Sequence, residues 1–300
     1  MTMGLRRLVR TMLFTPANHA RHVEKALSGS ADAVILDLED AVAIDLKPAA
    51  RALLPGLLFG RRQKTPQVFV RVNALTTPFA FPDLMAAIRD GLSGIVLPKV
   101  ESREQVATAD WLMAQLEAEQ GLTANSVELL PIIETAAGLT RLQEIGTASP
   151  RVRRLTFGAG DFTLDTNMEW SPANEGVLWG RIQTVIGSRA ARLAPPLDTV
   201  YPTLPDGAGF EAECRQARRL GFEGKLCLHP DQVEIANQVF TPSGAEVDDA
   251  RRVLEAFDRA VASGSASIQL DGRFIDYPIA ERARRLIETR DSSLVEEAAL

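Results

Sequence analysis

The chain has 300 residues, of which 46% are hydrophobic and 24% charged, and a formal net charge of −6 at pH 7. That length suits one large α/β domain or two ordinary ones, and the composition excludes global disorder. The acidic balance argues against a nucleic-acid or anionic-membrane binder, which needs a basic face, and no apolar run approaches the roughly 20 residues that cross a bilayer.

Short apolar runs alternate with helical stretches from the start. Residues 8–16 (LVRTMLFTP) form the first predicted strand, followed by a helix from His19 to Leu27. Arg10 interrupts the apolar run and no small-residue cleavage site follows, so a strand is expected here and not a signal peptide. The second strand spans 33–40 (AVILDLED), with a helix from about Pro48. The third spans 67–73 (QVFVRVN), with a helix near Pro82–Arg89, and the fourth 94–100 (GIVLPKV), with a helix from Ser102 to about Gln120 that opens on a capping signal. The fifth and sixth lie in 127–139 and 154–165. Each is an apolar, β-branched run that ends in a carboxylate, Glu134 in one and Asp161 in the other, ahead of small or turn-forming residues. Residues 197–204 and 225–231 complete eight strands.

Apolar runs without alternation read as strands buried on both faces, the mark of a parallel sheet. Eight strand–helix units of about 30 residues each predict a (β/α)8 TIM barrel, whose function gathers at the C-terminal strand ends. An open doubly wound sheet would carry a Gly-rich dinucleotide loop after its first strand. The chain has Thr15-Pro16-Ala17-Asn18 there, and Gly158-Ala159-Gly160 lacks a third glycine and precedes an acid.

Past residue 240 the alternation stops. Residues 242–264 form a capped amphipathic helix, 267–278 a hairpin about Asp271-Gly272, and 279–290 a further helix. The expected organisation is a barrel over 1–240 and an extension over 241–300 that covers the barrel mouth or reaches a neighbouring subunit. Cys214 and Cys227 have neither CxxC nor metal spacing, which points to a reducing compartment, the cytoplasm.

One geometric rule selects the functional candidates: polar residues at the ends of otherwise apolar strands. They are Asp37, Glu39 and Asp40, Arg71 and Asn73, Lys99, Glu134, Asp161 and His229. On neighbouring parallel strands Glu134 and Asp161 would converge as a divalent-metal site, the alternative being a cap or an ion pair. In DLED the period of two puts Asp37 and Glu39 on one side and Asp40 on the other. They either serve the site or hold Arg71 and Lys99 by ion pairing. Arg71 suits a bidentate hold on a substrate carboxylate. His19 and His22, at i and i+3, read as solvated surface, and Trp111, Trp170 and Trp179 as packing.

Several of these segments form a known series. LFTPAN, ADAVILDLEDAV, VFVRVN, GIVLPKVES, PIIETAAGL, FGAGDFTLD, GFEGKLCLHPDQV and FTPS occur in the order of the citrate lyase β-subunit-like proteins. The chain resembles that group, which sits with the malyl-CoA and citramalyl-CoA lyases in the HpcH/HpaI aldolase/citrate lyase superfamily. The resemblance, from about residue 7 to 290, implies a (β/α)8 barrel with a C-terminal extension, and Mg2+ or Mn2+ as cofactor. It implies reversible cleavage of a β-hydroxyacyl thioester into a 2-oxo acid and an acyl thioester such as acetyl-CoA. The family's metal-binding glutamate falls on Glu134 and its aspartate on Asp161. Its arginine for the oxo acid falls on Arg71, and the late acid that exchanges a proton with the acyl methyl group on Asp276. In the family that aspartate completes a neighbouring subunit's site, which implies a homo-oligomer, a trimer or a multiple of one. Ala17-Asn18 departs from the glycine usual after the first-strand proline, in a loop that approaches the thioester carrier.

Four other readings share this framework: a citrate lyase β-subunit acting on a citryl group on an acyl-carrier protein, a malyl-CoA thioesterase, a class II-type aldolase acting on free oxo acids, and a non-catalytic barrel.

Overall fold

The computed structural model describes residues 8–61, 66–171 and 175–297, with side chains as far as Asp291. The segment ahead of Leu8, part of the signal-peptide question, lies outside them. Eight parallel strands close into one barrel: β1 (Thr11–Pro16), β2 (Ala33–Asp37), β3 (Gln67–Arg71), β4 (Gly94–Leu97), β5 (Glu128–Ile133), β6 (Thr156–Phe157), β7 (Leu197–Asp198) and β8 (Gly224–Cys227). Each pairs with its neighbour in sequence, and β8 returns to β1. The fold is a TIM barrel.

The surrounding helices are α1 (Ala20–Leu27), α2 (Lys47–Leu58), α3 (Ala80–Ala87), α4 (Arg103–Glu119), α5 (Ala136–Leu139), α6 (Leu142–Gly146), α7 (Ala159–Thr166), α8 (Glu175–Ala190), α9 (Gly207–Leu220) and α10 (Pro230–Phe240). None of the described helices is long and apolar enough to cross a membrane.

Alternation of side chains across each strand divides the core in two. Met12, Ile35, Phe69, Val96, Leu130, Ile132, Leu197 and Leu226 point inward and fill the barrel. The intervening residues face the helices. At the N-terminal rim paired charges tie the strand starts together, Arg10 with Asp32 and Arg154 with Glu223, and Arg151 ties the segment ahead of β6 to Glu117 of α4. That rim is where a TIM barrel keeps its stability.

All eight strands are shorter than the sequence predicts. β2 stops at Asp37, so Glu39 and Asp40 lie in the turn that follows. β7 ends at Asp198 and β8 at Cys227. β6 has two residues, and Asp161 sits in the first turn of α7 instead of at a strand end. The run 154–165 joins a strand to a helix, and its apolar residues belong to two periods: Phe162 is buried on α7, whereas Leu164 is 80% exposed. Trp111 and Trp179 do not pack as expected; both are exposed.

The chain divides into two compact units, Val9–Asn237 and one beginning at Gln238. The C-terminal unit contains α11 (Gly244–Ala262), the hairpin β9 (Ile268–Leu270) and β10 (Arg273–Ile275), and α12 (Tyr277–Glu297). Ser243 and Glu246 close a capping box on α11. The hairpin turns on Asp271 and Gly272, both at positive φ, as a type I′ turn requires. Val253, Phe257, Ile275 and Ala280 build a core of this unit's own.

Candidate active site

Inward-pointing positions carry the site. Two residues beyond Ile35, Phe69 and Ile132 come Asp37, Arg71 and Glu134, which continue the same inward series past the apolar plug. Asp37 and Arg71 are register partners at the ends of β2 and β3. Arg71 donates from Nε to Asp37 Oδ1 at 2.7 Å and from Nη2 to Oδ2 at 2.6 Å. Its Nη1 stands 3.1 Å from Glu39 Oε2 and 4.0 Å from Asp40 Oδ2. The guanidinium carbon lies over the Phe14 ring of β1, 4.8 Å from its centroid. The bidentate fork is therefore spent on Asp37, and Nη1 faces Glu39. Burial works against its charge, but Asp37 and Glu39 more than reverse this and raise its pKa.

The DLED turn is held from below. Asp37 accepts the backbone N–H groups of Glu39 and Ala41. Lys47, buried at the start of α2, donates to the carbonyls of Leu38 and Glu39. Asn73 donates to Leu38 O and to Asp83 Oδ2, so it supports the turn and not a ligand. Asp37 and Glu39 thus lie directly against Arg71, while Asp40, 65% exposed, reaches the same cation only at 4.0 Å; beyond the end of β2 the period of two no longer sorts them.

Lys99 follows β4 with φ +52°, a left-handed conformation that costs a lysine about 1–3 kcal/mol and persists where its surroundings fix it. Its backbone N–H donates to Glu134 Oε1 at 2.7 Å. Its ammonium donates to Glu39 Oε1 at 2.8 Å and lies 3.4 Å from Asp161 Oδ1. Glu39 Oε2 is buried and receives no hydrogen bond, since Arg71 Nη1 approaches it without the alignment of one. Burial raises the Glu39 pKa against the pull of Arg71 and Lys99.

Glu134 is 3% exposed. Burial first, then the charges of Asp161 and Glu39, push its carboxyl up to about 8, with Lys99 opposing. Gly158, the start of the α7 turn, gives this carboxylate its room. A Cβ there would lie 2.5 Å from Glu134 Oε2 and 2.9 Å from Ile132 Cγ2. Thr135 caps α5 by accepting the Gly138 N–H, which carries the chain away from the rim directly after Glu134.

Four carboxylates, Asp37, Glu39, Glu134 and Asp161, therefore meet two cations, Arg71 and Lys99. With all four ionised, as a bound cation would hold them, the surplus is two negative charges on hard oxygen donors, which fits one Mg2+-like ion. Among the described residues no group of three or more His, Cys, Asp or Glu is placed to hold a metal ion by itself. Such an ion commonly takes one or two carboxylates and leaves the rest of its shell to water and substrate.

His229 stands apart, half exposed, with Nδ1 accepting the Asp231 N–H at 3.3 Å. His19 and His22 are solvated, as expected. Asp276 belongs to the C-terminal unit, where Oδ1 accepts the Ile279 N–H at 3.2 Å and caps α12. Lys47 carried no signal in the sequence, and Gly158 signalled a turn without its steric role beside Glu134.

Residues 10–230 match the HpcH/HpaI aldolase/citrate lyase family. The chain is 33% identical to the citrate lyase subunit beta of Haemophilus influenzae, over 97% of this chain and 100% of that one. It is 32% identical to the L-malyl-CoA/beta-methylmalyl-CoA lyase of Rhodobacter capsulatus, over 96% of each. A solved structure of protein CitE from Mycobacterium tuberculosis, in complex with magnesium, acetoacetate and coenzyme A, superposes with a TM-score of 0.77 at 28% identity, covering 95% of this chain and 98% of that one.

Proposed function

The chain belongs to the HpcH/HpaI aldolase/citrate lyase family, and from that premise we propose that it cleaves a β-hydroxyacyl-CoA thioester of the malyl-CoA or citramalyl-CoA type into acetyl-CoA and a 2-oxo acid. It is a Mg2+-dependent carbon–carbon lyase of the citrate lyase β-subunit-like kind. The observation that carries the finer reading is the cluster of carboxylate oxygens beside the partly buried Arg71 guanidinium at the C-terminal rim. A 2-oxo acid needs both features, a cation for its oxygens and a donor for its carboxylate. The choice of coenzyme A rests on the malyl-CoA lyase relative and on the CitE complex.

Glu134 and Asp161 would hold the ion, which when bound supplies Lewis-acid stabilisation of charge on the oxo acid's oxygens. Arg71, fixed by Asp37, would present Nη1 to the substrate carboxylate without reorganising. Asp276, on the tail of a neighbouring copy in a homo-oligomer, would return a proton to the acyl α-carbon in cleavage and remove it in condensation. These assignments predict that purified protein with Mg2+ releases acetyl-CoA and a 2-oxo acid from malyl-CoA or (S)-citramalyl-CoA. EDTA or Glu134→Ala should abolish the release. No release from either ester, in protein that binds Mg2+ and pyruvate, would sink the CoA reading. The second reading, a citryl group on an acyl-carrier protein, is favoured by the citrate lyase subunit beta relative and would then take its place. Free CoA appearing with malate would instead identify a thioesterase.

Metal binding should also depend on pH in a defined direction. With its pKa raised from 4.5 to about 8, metal-free Glu134 keeps a proton that the unfolded chain has lost. The stability this contributes is fully present below pH 4.5 and is lost as pH rises through 8. The ion needs the carboxylate, so Mg2+ affinity should rise by about tenfold per pH unit towards pH 8 and then level, with about one proton released per ion at pH 7. Calorimetry in buffers of different ionisation enthalpy reads that proton. A flat profile from pH 6 to 8 would contradict the assignment.

A further inference from the structure

Lys99 has no task in the reading above, yet it touches the site with both ends of the residue. Its amide N–H orients Glu134, and its ammonium spans Glu39 Oε1 and Asp161 Oδ1 at 2.8 and 3.4 Å. The longer contact places a cation on a carboxylate assigned to the metal. Two cations at contact distance on one partly buried carboxylate repel strongly, so the ammonium and the ion compete for Asp161. The Glu39 contact is shorter and outside that competition. Arg71, meanwhile, has Nε and Nη2 committed to Asp37 and offers a substrate carboxylate little beyond Nη1.

Resting on the Mg2+ reading, we propose that Lys99 is a displaceable counter-cation. Its ammonium ties Asp161 to Glu39 before the ion binds, yields Asp161 when it binds, and then, still anchored on Glu39, turns to the carboxylate of the oxo acid beside Arg71 Nη1. The left-handed backbone is what allows one residue to do this. It aims the N–H at Glu134 and the side chain along the rim, so Glu134 keeps its orientation while the ammonium changes partner.

Two variants separate backbone from charge. Lys99→Gly accepts a positive φ without strain, Lys99→Met keeps the bulk of the side chain, and both retain the N–H and lose the ammonium. The full-length wild type and both variants are titrated calorimetrically with MgCl2, and then, saturated with Mg2+, with pyruvate. Both variants should bind Mg2+ more tightly than the wild type, by roughly three- to thirtyfold for a charge of this exposure. Both should bind pyruvate at least about tenfold more weakly. Shifts of opposite sign are the signature, because a merely structural lysine would move both affinities the same way or neither. Unchanged or weaker Mg2+ binding in either variant, or unaffected pyruvate binding, overturns the proposal and leaves the metal reading standing. No Mg2+ binding by any of the three proteins, or wild-type Mg2+ affinity retained in Glu134→Gln, overturns both.

Discussion

Asp276→Asn should bind Mg2+ and pyruvate as the wild type does while turnover falls by about 10²- to 10⁴-fold, the usual contribution of a positioned acid–base group. The substitution is chosen for what it spares. Asp276 caps α12 through Oδ1, and asparagine serves at an N-cap as well as aspartate, so the fold of the tail is retained. What goes is a carboxylate able to exchange a proton with the acyl α-carbon. Three measurements separate the outcomes: kcat on the active ester, the melting temperature, and exchange of deuterium from solvent into the methyl group of acetyl-CoA. Loss of kcat and of exchange at an unchanged melting temperature assigns the proton transfer to Asp276. Unchanged kcat removes it from the mechanism. A parallel fall in melting temperature would reduce Asp276 to a helix cap.

The second large effect is on stability and lies outside the site. Asp198 on β7 is fully buried between two cations. Arg181 of α8 grips it bidentately at 2.9 and 2.8 Å, and Lys225 of β8 donates to it at 2.7 Å. Lys225 also pairs with Glu213 of α9, and Arg181 with Gln216. Asp198→Ala leaves both cations in the layer between barrel and helices with only part of their compensation. Breaking a buried pair from one side typically costs about 3–5 kcal/mol. For a chain of this size that lowers the melting temperature by about 6–20 °C. Burial disfavours the Asp198 charge, but Lys225 and Arg181 more than offset it and its pKa is lowered. The stabilisation is therefore present above the ordinary carboxylate range and is lost as pH falls through the lowered folded value. Calorimetry at pH 7 and at pH 3 checks both statements. A melting temperature within 2 °C of wild type at pH 7, a margin well under that about 6–20 °C fall, would show that the network relaxes around the gap.

The barrel was legible because its strands are buried on both faces, and a strand without alternation between two turn signals is hard to mistake when it recurs eight times. The boundaries were not. In 154–165 the apolar residues of β6 and of α7 run together, and only Gly158-Ala159-Gly160, three residues too small to pack as strand, marks where the period changes. The rule of polar residues at the ends of otherwise apolar strands picks Asp37, Arg71 and Glu134, which the structure brings to one rim, and also Asn73 and His229, which it does not bring to them. It places Asp161 correctly on the rim but on the wrong element. Lys47 escapes it, since a lysine at the start of a helix looks like any solvated lysine and becomes structural only when two carbonyls fold over it. Gly158 escapes because its value is steric, the space taken by Glu134. Asp198 and Lys225 left a signal that went unused: a charge inside a doubly buried strand must find a partner in the layer it faces.

The barrel wall also has one stave joined differently from the others. Between β6 and β7 the register consists of a single pair, Thr156 with Leu197. Hydroxyls supply the missing rungs there. Thr156 Oγ1 donates to Leu197 O at 3.0 Å, and Thr199 Oγ1 accepts the Ala159 N–H at 2.9 Å across the same gap. Closure of the cylinder at this seam thus depends on side-chain chemistry as well as on backbone. Valine has the shape and strand preference of threonine and would satisfy the hydrophobic pattern at either position, yet it would unfasten the wall beside the helix that carries Asp161.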